Sequence, residues 1–362
     1  MSHERIPLPG LTVALVGGAG FIGHNLALKL KSLGADVHVI DGLAVNNFYA
    51  LQKDRASNPN SDLYLAFVRQ RLKLLHRAQV PFVELDARDY HGLTEAMKEI
   101  KPDVVVQLAA VAHANRSNKD PYSTFDHSLR TLENALDVSR SEDLGVKHFI
   151  YFSSSMVYGN FSAAAVTEDA PCEPLGIYGA LKFAGEKLVI AYNQVFDLPY
   201  TIIRPSALYG ARCVSRRVGQ ALIENAIQGK PLTVNGDGSD KLDFTYIDDL
   251  TQGVVNAIMY PGARNEIFNL TYGSARSIGQ MVAIIGEHFP GVDIRHNPRD
   301  SLMPERGTLN VDKARRLIAY DPQFPLEKGL VDYIDWYKSN WEELSRDLSA
   351  ADVVYLKYGA HG

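Results

Sequence analysis

Short runs of continuously apolar residues alternate with amphipathic stretches along most of the chain. The first run, Leu11-Thr-Val-Ala-Leu-Val16, is rich in β-branched residues and leads straight into Gly17-Gly-Ala-Gly-Phe-Ile-Gly23. Leu26, Leu30 and Leu33 then fall at helical spacing before Gly34, and residues 37–41 (Val-His-Val-Ile-Asp) form a second strand. A strand–turn–helix–strand unit of roughly 30 residues is the size of a βαβ crossover. Further buried strands are predicted at 82–85, 104–108, 149–153 and 200–204, and helices at 93–100, 122–141 and 178–196. Strands that are apolar throughout belong to parallel sheets covered on both faces. The pattern therefore predicts an α/β protein built on a doubly wound parallel sheet.

Two regions depart from this alternation. Residues 46–78 form a long polar excursion with a helical pattern over 63–75, because a structureless loop of that length would be unusual. After Pro205 the strands become irregular, a helix is predicted over 218–228, and the chain is expected to rejoin the sheet around 244–249 and 266–270. Residues 345–362 have no evident role and are read as a loose tail.

Composition removes several function classes. With 37 Lys and Arg against 42 Asp and Glu, the formal net charge is −5, where a protein that coats nucleic acid would carry a basic excess. No run approaches the ~18 apolar residues of a membrane-spanning helix. Residues 1–10 carry charge and two prolines where a signal peptide needs an apolar core. The two cysteines, Cys172 and Cys213, build neither a disulfide framework nor a metal knuckle. A cytoplasmic protein is expected, with no membrane or nucleic-acid partner. No His, Asp or Glu grouping has metal-ligand spacing, so no metal is expected.

The glycine turn carries the first chemistry. Gly17, Gly20 and Gly23 follow a strand and open a helix, as a dinucleotide site requires. One permits the tight turn, one lets backbone approach a pyrophosphate, and one lets helix and sheet pack closely. Phe21 and Ile22 then present backbone N–H groups at the positive end of the helix. Asp41 ends the second strand, where a carboxylate accepts the adenosine ribose hydroxyls and repels a 2′-phosphate; this favours NAD over NADP, although it could also cap the next turn. Asp86, followed by Ala87, is a second strand-end acid that either meets the adenine amino group or does not.

Tyr178 and Lys182 stand at i and i+4 on one helical face. An ammonium beside a phenol, with an oxidised nicotinamide nearby, stabilises phenolate and is expected to lower the tyrosine pKa, giving a base for an alcohol proton. Phe152-Ser-Ser-Ser-Met-Val-Tyr-Gly159 lies about 25 residues earlier, at the carboxyl end of a predicted central strand, where such sheets bind ligands. Its serines either satisfy backbone groups or bind a reacting oxygen.

The glycine triplet, Asp41, Asp86, Leu108-Ala109-Ala110, the Ser-Ser-Ser-Met-Val-Tyr-Gly run, Tyr178-x-x-x-Lys182 and Arg204-Pro205 occur in the order of the extended short-chain dehydrogenase/reductases. Within them the chain resembles the NAD-dependent nucleotide-sugar epimerases of the UDP-galactose and UDP-glucuronate 4-epimerase kind, over residues 11–338. The likeness includes Gly229-Lys-Pro-Leu-Thr-Val-Asn-Gly-Asp-Gly238 and Asp243-Phe-Thr-Tyr-Ile-Asp-Asp249. It implies a Rossmann-type domain over 1–205 that the chain rejoins at 244–272. The remaining expected divisions are a substrate lobe of 206–243 and 273–345 and a tail of 346–362. It implies Ser154 and Tyr178 as the catalytic hydroxyls, Lys182 on the coenzyme ribose, and Pro205 against the coenzyme. It implies oxidation at C4 and return of hydride to the opposite face. It also implies a homodimer joined through the helices of 122–141 and 178–196.

Related 4,6-dehydratases carry an Asp-Glu pair after the catalytic hydroxyl; here Ser155-Met156 supplies neither, which favours epimerisation. The family's nucleotide-contacting Asn is Ala207, its phosphate-pairing Arg is Leu242, and a further Asn near the nicotinamide is Ser128. Arg212, Arg216, Arg217, Lys241 and Arg306 are the candidate replacements for the lost phosphate contact, with a UDP-sugar as first-choice substrate. His113, beyond Ala110, either meets a sugar hydroxyl or caps a loop. A net dehydrogenase or reductase on another alcohol, and a non-catalytic dinucleotide-binding protein, are the competing readings.

Overall fold

A computed structural model describes residues 5–45, 47–53, 60–111, 114–299 and 303–346. Seven strands make one sheet: β1 (Thr12–Val16), β2 (Asp36–Asp41), β3 (Phe82–Glu84), β4 (Val104–Gln107), β5 (His148–Phe152), β6 (Tyr200–Arg204) and β7 (Glu266–Asn269). Their spatial order is β7-β6-β5-β4-β1-β2-β3, and every neighbouring pair is parallel. The chain moves outward through β2 and β3, then returns past β1 to lay down β4. Reversal at the β1–β4 seam opens a crevice at the carboxyl ends of the strands.

Alternate side chains of these strands enter two separate cores. Val13, Leu15, Val104, Val106, Ile150 and Ile203 face one, and Ala14, Val16, Val105, Phe149, Tyr151 and Ile202 face the other. Burial on both faces explains the continuous apolar runs, each fully buried Val, Ile or Leu contributing about 1.5–3 kcal/mol.

The longer helices are α1 (Phe21–Ser32), α2 (Ser61–Arg77), α3 (Tyr90–Ile100), α4 (Thr131–Ser139), α5 (Gly176–Phe196), α6 (Val218–Ile227), α7 (Ile247–Met259), α8 (Ile278–His288) and α9 (Leu326–Arg346). The excursion is helical as expected, with a short helix at Phe48–Lys53 before α2. Phe67 of α2 packs edge-on against Trp336 and Tyr337 of α9, at centroid separations of 5.1 and 5.9 Å. Tyr64 and Tyr337 both donate 2.8 Å hydrogen bonds to the buried Glu224 carboxylate of α6. The excursion is thereby tied to both the lobe helix and the C-terminal helix.

Two expectations need correction. The helix over 122–141 is broken into Pro121–Phe125, a π-helical turn at Asp126–Arg130, and α4. Within it the Ser128 hydroxyl accepts the Val111 N–H at 3.2 Å, and Thr131 Oγ1 donates to the Ala109 carbonyl at 3.1 Å. The wider turn delivers both hydroxyls to the end of β4. Residues 244–249 do not join the sheet. Thr245–Tyr246 pairs with Leu208–Tyr209, α7 follows at once, and the sheet is rejoined only at β7.

Candidate active site

A cleft lies at the carboxyl ends of β1, β2 and β4. Gly17, Gly20, Phe21, Ile22, Gly23, Asp41, Asp86, Ala87, Leu108, Ala109 and Ala110 all line it. Gly17 has φ +83°, and a Cβ there would lie 2.5 Å from the Ala109 nitrogen, so only glycine lets β1 and β4 end side by side. A Cβ on Gly23 would meet Gly18 at 2.5 Å. Gly20 caps α1 with extended backbone and no side chain over the helix end, leaving its N–H groups open to an anion. Gly17→Ala is expected to cost roughly 1–3 kcal/mol of backbone strain and to yield protein with little bound coenzyme, measured by extraction and absorbance.

Asp41 braces the turn from below. Its Oδ2 accepts the Ala19 N–H at 2.9 Å and its Oδ1 the Leu43 N–H at 2.8 Å. Burial nevertheless raises its pKa above the usual carboxylate value. Asp86 is gripped by Arg88, with contacts of 2.6 to 3.1 Å, and Arg88 also reaches Asp126 at 2.6 Å. The Arg88 hydrogen bonds hold the Asp86 carboxyl below its ordinary range.

The catalytic candidates meet beside this cleft. Ser154 ends the extended segment after β5, and its Oγ accepts the Met156 N–H at 3.2 Å, capping a 3₁₀ turn at Ser155–Tyr158. The Ser155 N–H donates to the Pro205 carbonyl at 2.9 Å. A Cβ on Gly179 would lie 2.7 Å from the Met156 carbonyl oxygen; its absence lets α5 approach this turn and brings the Tyr178 phenol to the Ser154 hydroxyl. Lys182, one turn further, is buried and donates to the Phe152 carbonyl at 2.7 Å. Its ammonium lies 5.2 Å from the Tyr151 ring centroid.

The expected depression of the tyrosine pKa is not produced by the protein's own groups. Burial raises Tyr178 above its ordinary value, with Arg217 and the Ser154 hydrogen bond opposing. The Lys182 ammonium is spent on a carbonyl, and burial pulls it down to about 8 against the attraction of Glu186. A cationic nicotinamide is the additional charge that would favour phenolate.

Beneath this group lies a buried ion pair. Arg204 donates to Glu186 at 2.9 and 2.7 Å, to the Tyr158 hydroxyl at 2.9 Å and to the Glu168 carbonyl at 3.0 Å. Ser153 donates to Glu186 at 2.5 Å. The carboxyl ends of β5 and β6 are thus locked to α5 directly below Ser154 and Lys182.

The substrate-side candidates separate. Lys241 and Arg306 line a second cavity with Asp240, Arg299 and Glu305. Arg306 Nε is buried without a partner among the described residues, and burial lowers the guanidinium to about 10. Arg217 is the N-cap residue of α6, lines the first cleft, and is felt electrostatically by both Tyr178 and Arg306. Exposed Arg216 turns to Glu224 at 3.8 Å. Arg212 does not join the group. Its left-handed backbone, φ +65°, directs its Nε to His24 Nε2 at 3.3 Å. Ala207 also has positive φ, at +39°, and Leu242 packs on the apolar core. His113 lies outside the described residues.

The model of the NAD dependent epimerase/dehydratase family matches residues 13–271. The chain belongs to that family. A Bacillus subtilis protein described as an uncharacterized UDP-glucose epimerase, YtcB, is 28% identical over 92% of this chain and 99% of its own. UDP-glucuronate 4-epimerase 1 of Arabidopsis thaliana is 28% identical over 91% of this chain and 77% of its own. The crystal structure of UDP-glucuronic acid 4-epimerase from Bacillus cereus, in complex with UDP-glucuronic acid and NAD, superposes with a TM-score of 0.79 at 28% identity, covering 91% of this chain and 99% of the other.

NAD is the coenzyme of this epimerase/dehydratase chain, and the residues present fit it. The cleft joins a glycine turn, an open helix N-terminus and an acidic strand end. Sequence reasoning missed Arg71, His127 and Thr131, which also line it. Arg71 left one signal: a cation inside the apolar stripe of Tyr64, Phe67 and Leu75.

Proposed function

We propose that the protein is a UDP-sugar 4-epimerase that oxidises the sugar transiently at C4 and restores hydride to the opposite face. The observation that carries this reading is the glycine-turn cleft at the carboxyl ends of the sheet, beside which Gly179 lets α5, with Tyr178 and Lys182, close on the turn that Ser154 caps. Gly17, Gly20, Gly23 and Asp41 bind the coenzyme, with Asp86, Ala87, Leu108, Ala109, Ala110 and Pro205 around it. Ser154 holds the sugar O4, Tyr178 removes its proton, and Lys182, while bonded to the Phe152 carbonyl, orients the coenzyme ribose with its remaining N–H groups. NAD, when bound, supplies the reversible hydride acceptor. Ser155 and Met156 offer no acid–base pair for eliminating water, so the product is an epimer rather than a dehydrated sugar.

Arg306, Lys241 and Arg217 bind the diphosphate in place of the residues lost at Leu242 and Ala207. A guanidinium with a buried unpartnered Nε suits a phosphate oxygen. The lobe comprises 206–243 and 273–345, closing over a coenzyme domain of 1–205 and 244–272. The protein acts as a cytoplasmic homodimer through the helical segments of 122–141 and 178–196, where Tyr122, Phe125, Val195 and Phe196 are exposed apolar side chains. Among the described residues, no helix is long and apolar enough to cross a membrane.

The test is incubation with UDP-glucose and UDP-glucuronate, separating the C4 epimers and following the nicotinamide band. Epimer formation without net coenzyme reduction supports the reading; stoichiometric coenzyme turnover makes the protein a dehydrogenase or reductase instead. Arg306→Met is expected to raise KM for the active UDP-sugar roughly ten- to a hundredfold, the worth of a charge-assisted hydrogen bond.

A further inference from the structure

Helix α2 carries a charge where its packing face should be apolar. Tyr64, Phe67, Arg71 and Leu75 follow one another at helical spacing and are all buried, Arg71 with 0% of its surface exposed. Arg71 lines the coenzyme cleft together with Gly20 and Asp41. Its charge is felt by Asp41 and by His24 in the first turns of α1.

Only part of its donor fork is used. Nε donates to the Arg212 carbonyl at 3.0 Å and Nη2 bonds the same oxygen, whereas Nη1 is buried without a partner among the described residues. A guanidinium withdrawn from water is tolerated where its remaining N–H groups find acceptors. Burial lowers it to about 10, so it is a cation at neutral pH. The cleft receives NAD, whose adenosine ribose and diphosphate place hydroxyl and anionic oxygens over a strand-end acid and a glycine turn. Gly20 and Asp41 are the cleft's members of that pair.

We propose that Arg71 is a coenzyme-binding residue, its Nη1 donating to an oxygen of the adenosine-side ribose–phosphate of NAD. The excursion between β2 and β3 then does more than cover the sheet. It delivers a cation from outside the βαβ unit, and coenzyme retention depends on α2 being docked. The docking is itself specific: Asn60 and Tyr64 reach Glu224 at 3.0 and 2.8 Å, and Phe67 packs on Trp336 and Tyr337. The Arg212 carbonyl is the acceptor that aims the fork. The proposal rests on the NAD assignment but not on which sugar is epimerised.

The experiment compares NAD content on purification and NAD affinity of coenzyme-stripped protein for wild type, Arg71→Met and Arg71→Lys, with melting temperature and UDP affinity as controls. Arg71→Met is expected to lose most bound NAD and to weaken its affinity about ten- to a hundredfold, with UDP affinity unchanged. Arg71→Lys recovers only part, because an ammonium cannot hold the Arg212 carbonyl and reach the coenzyme as a fork does. A folded Arg71→Met protein that binds NAD as tightly as wild type overturns the proposal. Should neither variant fold, a crystal structure of the wild-type protein with NAD decides: Nη1 bonded to a coenzyme oxygen upholds it, and Nη1 bonded only to protein or water overturns it. Wild-type protein that takes up no NAD overturns the coenzyme assignment itself, and this proposal with it.

Discussion

Tyr178→Phe is expected to lower kcat roughly a hundred- to ten-thousand-fold, the range for losing a positioned acid–base group. The substitution removes one oxygen from a side chain whose partners are the Ser154 hydroxyl and the field of Arg217. The glycine turn, Asp41 and Arg71 stand on other elements, so coenzyme content and melting temperature should stay close to wild type. Measuring turnover, bound NAD and thermal unfolding on one preparation separates lost chemistry from lost structure. A variant with more than a tenth of wild-type turnover would mean that another group takes the proton.

The second large effect is on stability. Arg204→Met leaves Glu186, 1% exposed on its side chain, without the cation that supplies two of its hydrogen bonds. Breaking one side of a buried ion pair costs about 3–5 kcal/mol. The Tyr158 hydroxyl would also lose the Arg204 donor while keeping its own bond to Asn269 Oδ1 at 2.8 Å. Chemical denaturation should show a much earlier midpoint for Arg204→Met. Adding Glu186→Leu should recover part of the loss, since the uncompensated charge is then gone. A single variant as stable as wild type would show that Glu186 is paired by other means.

The seven strands and the glycine turn were legible because parallel strands buried on both faces must be apolar throughout, and because close approach between β1 and β4 demands glycine at position 17. The Tyr178–Lys182 spacing was legible for a similar reason: four residues on a helix place two side chains on one face. What escaped the sequence depends on distant packing. The π-helical turn at Asp126–Arg130 serves backbone groups at the end of β4, and no local periodicity announces it. Arg212 looked like a phosphate ligand until its left-handed backbone turned it toward His24. Arg71 was not singled out, although its place among Tyr64, Phe67 and Leu75 at helical spacing is visible in the sequence. The raised pKa of Tyr178 reflects loss of water around the phenol, whereas the i, i+4 ammonium had pointed the other way.

The reaction proposed here requires hydride to leave C4 and rejoin it within one site. Its most direct measurement is turnover of whichever UDP-sugar proves active, deuterated at C4, by wild-type protein carrying its own NAD in ordinary water. The inverted product should retain deuterium at C4, with no reduced coenzyme accumulating in solution. Deuterium lost to water, or found in free coenzyme in proportion to product, would contradict the account.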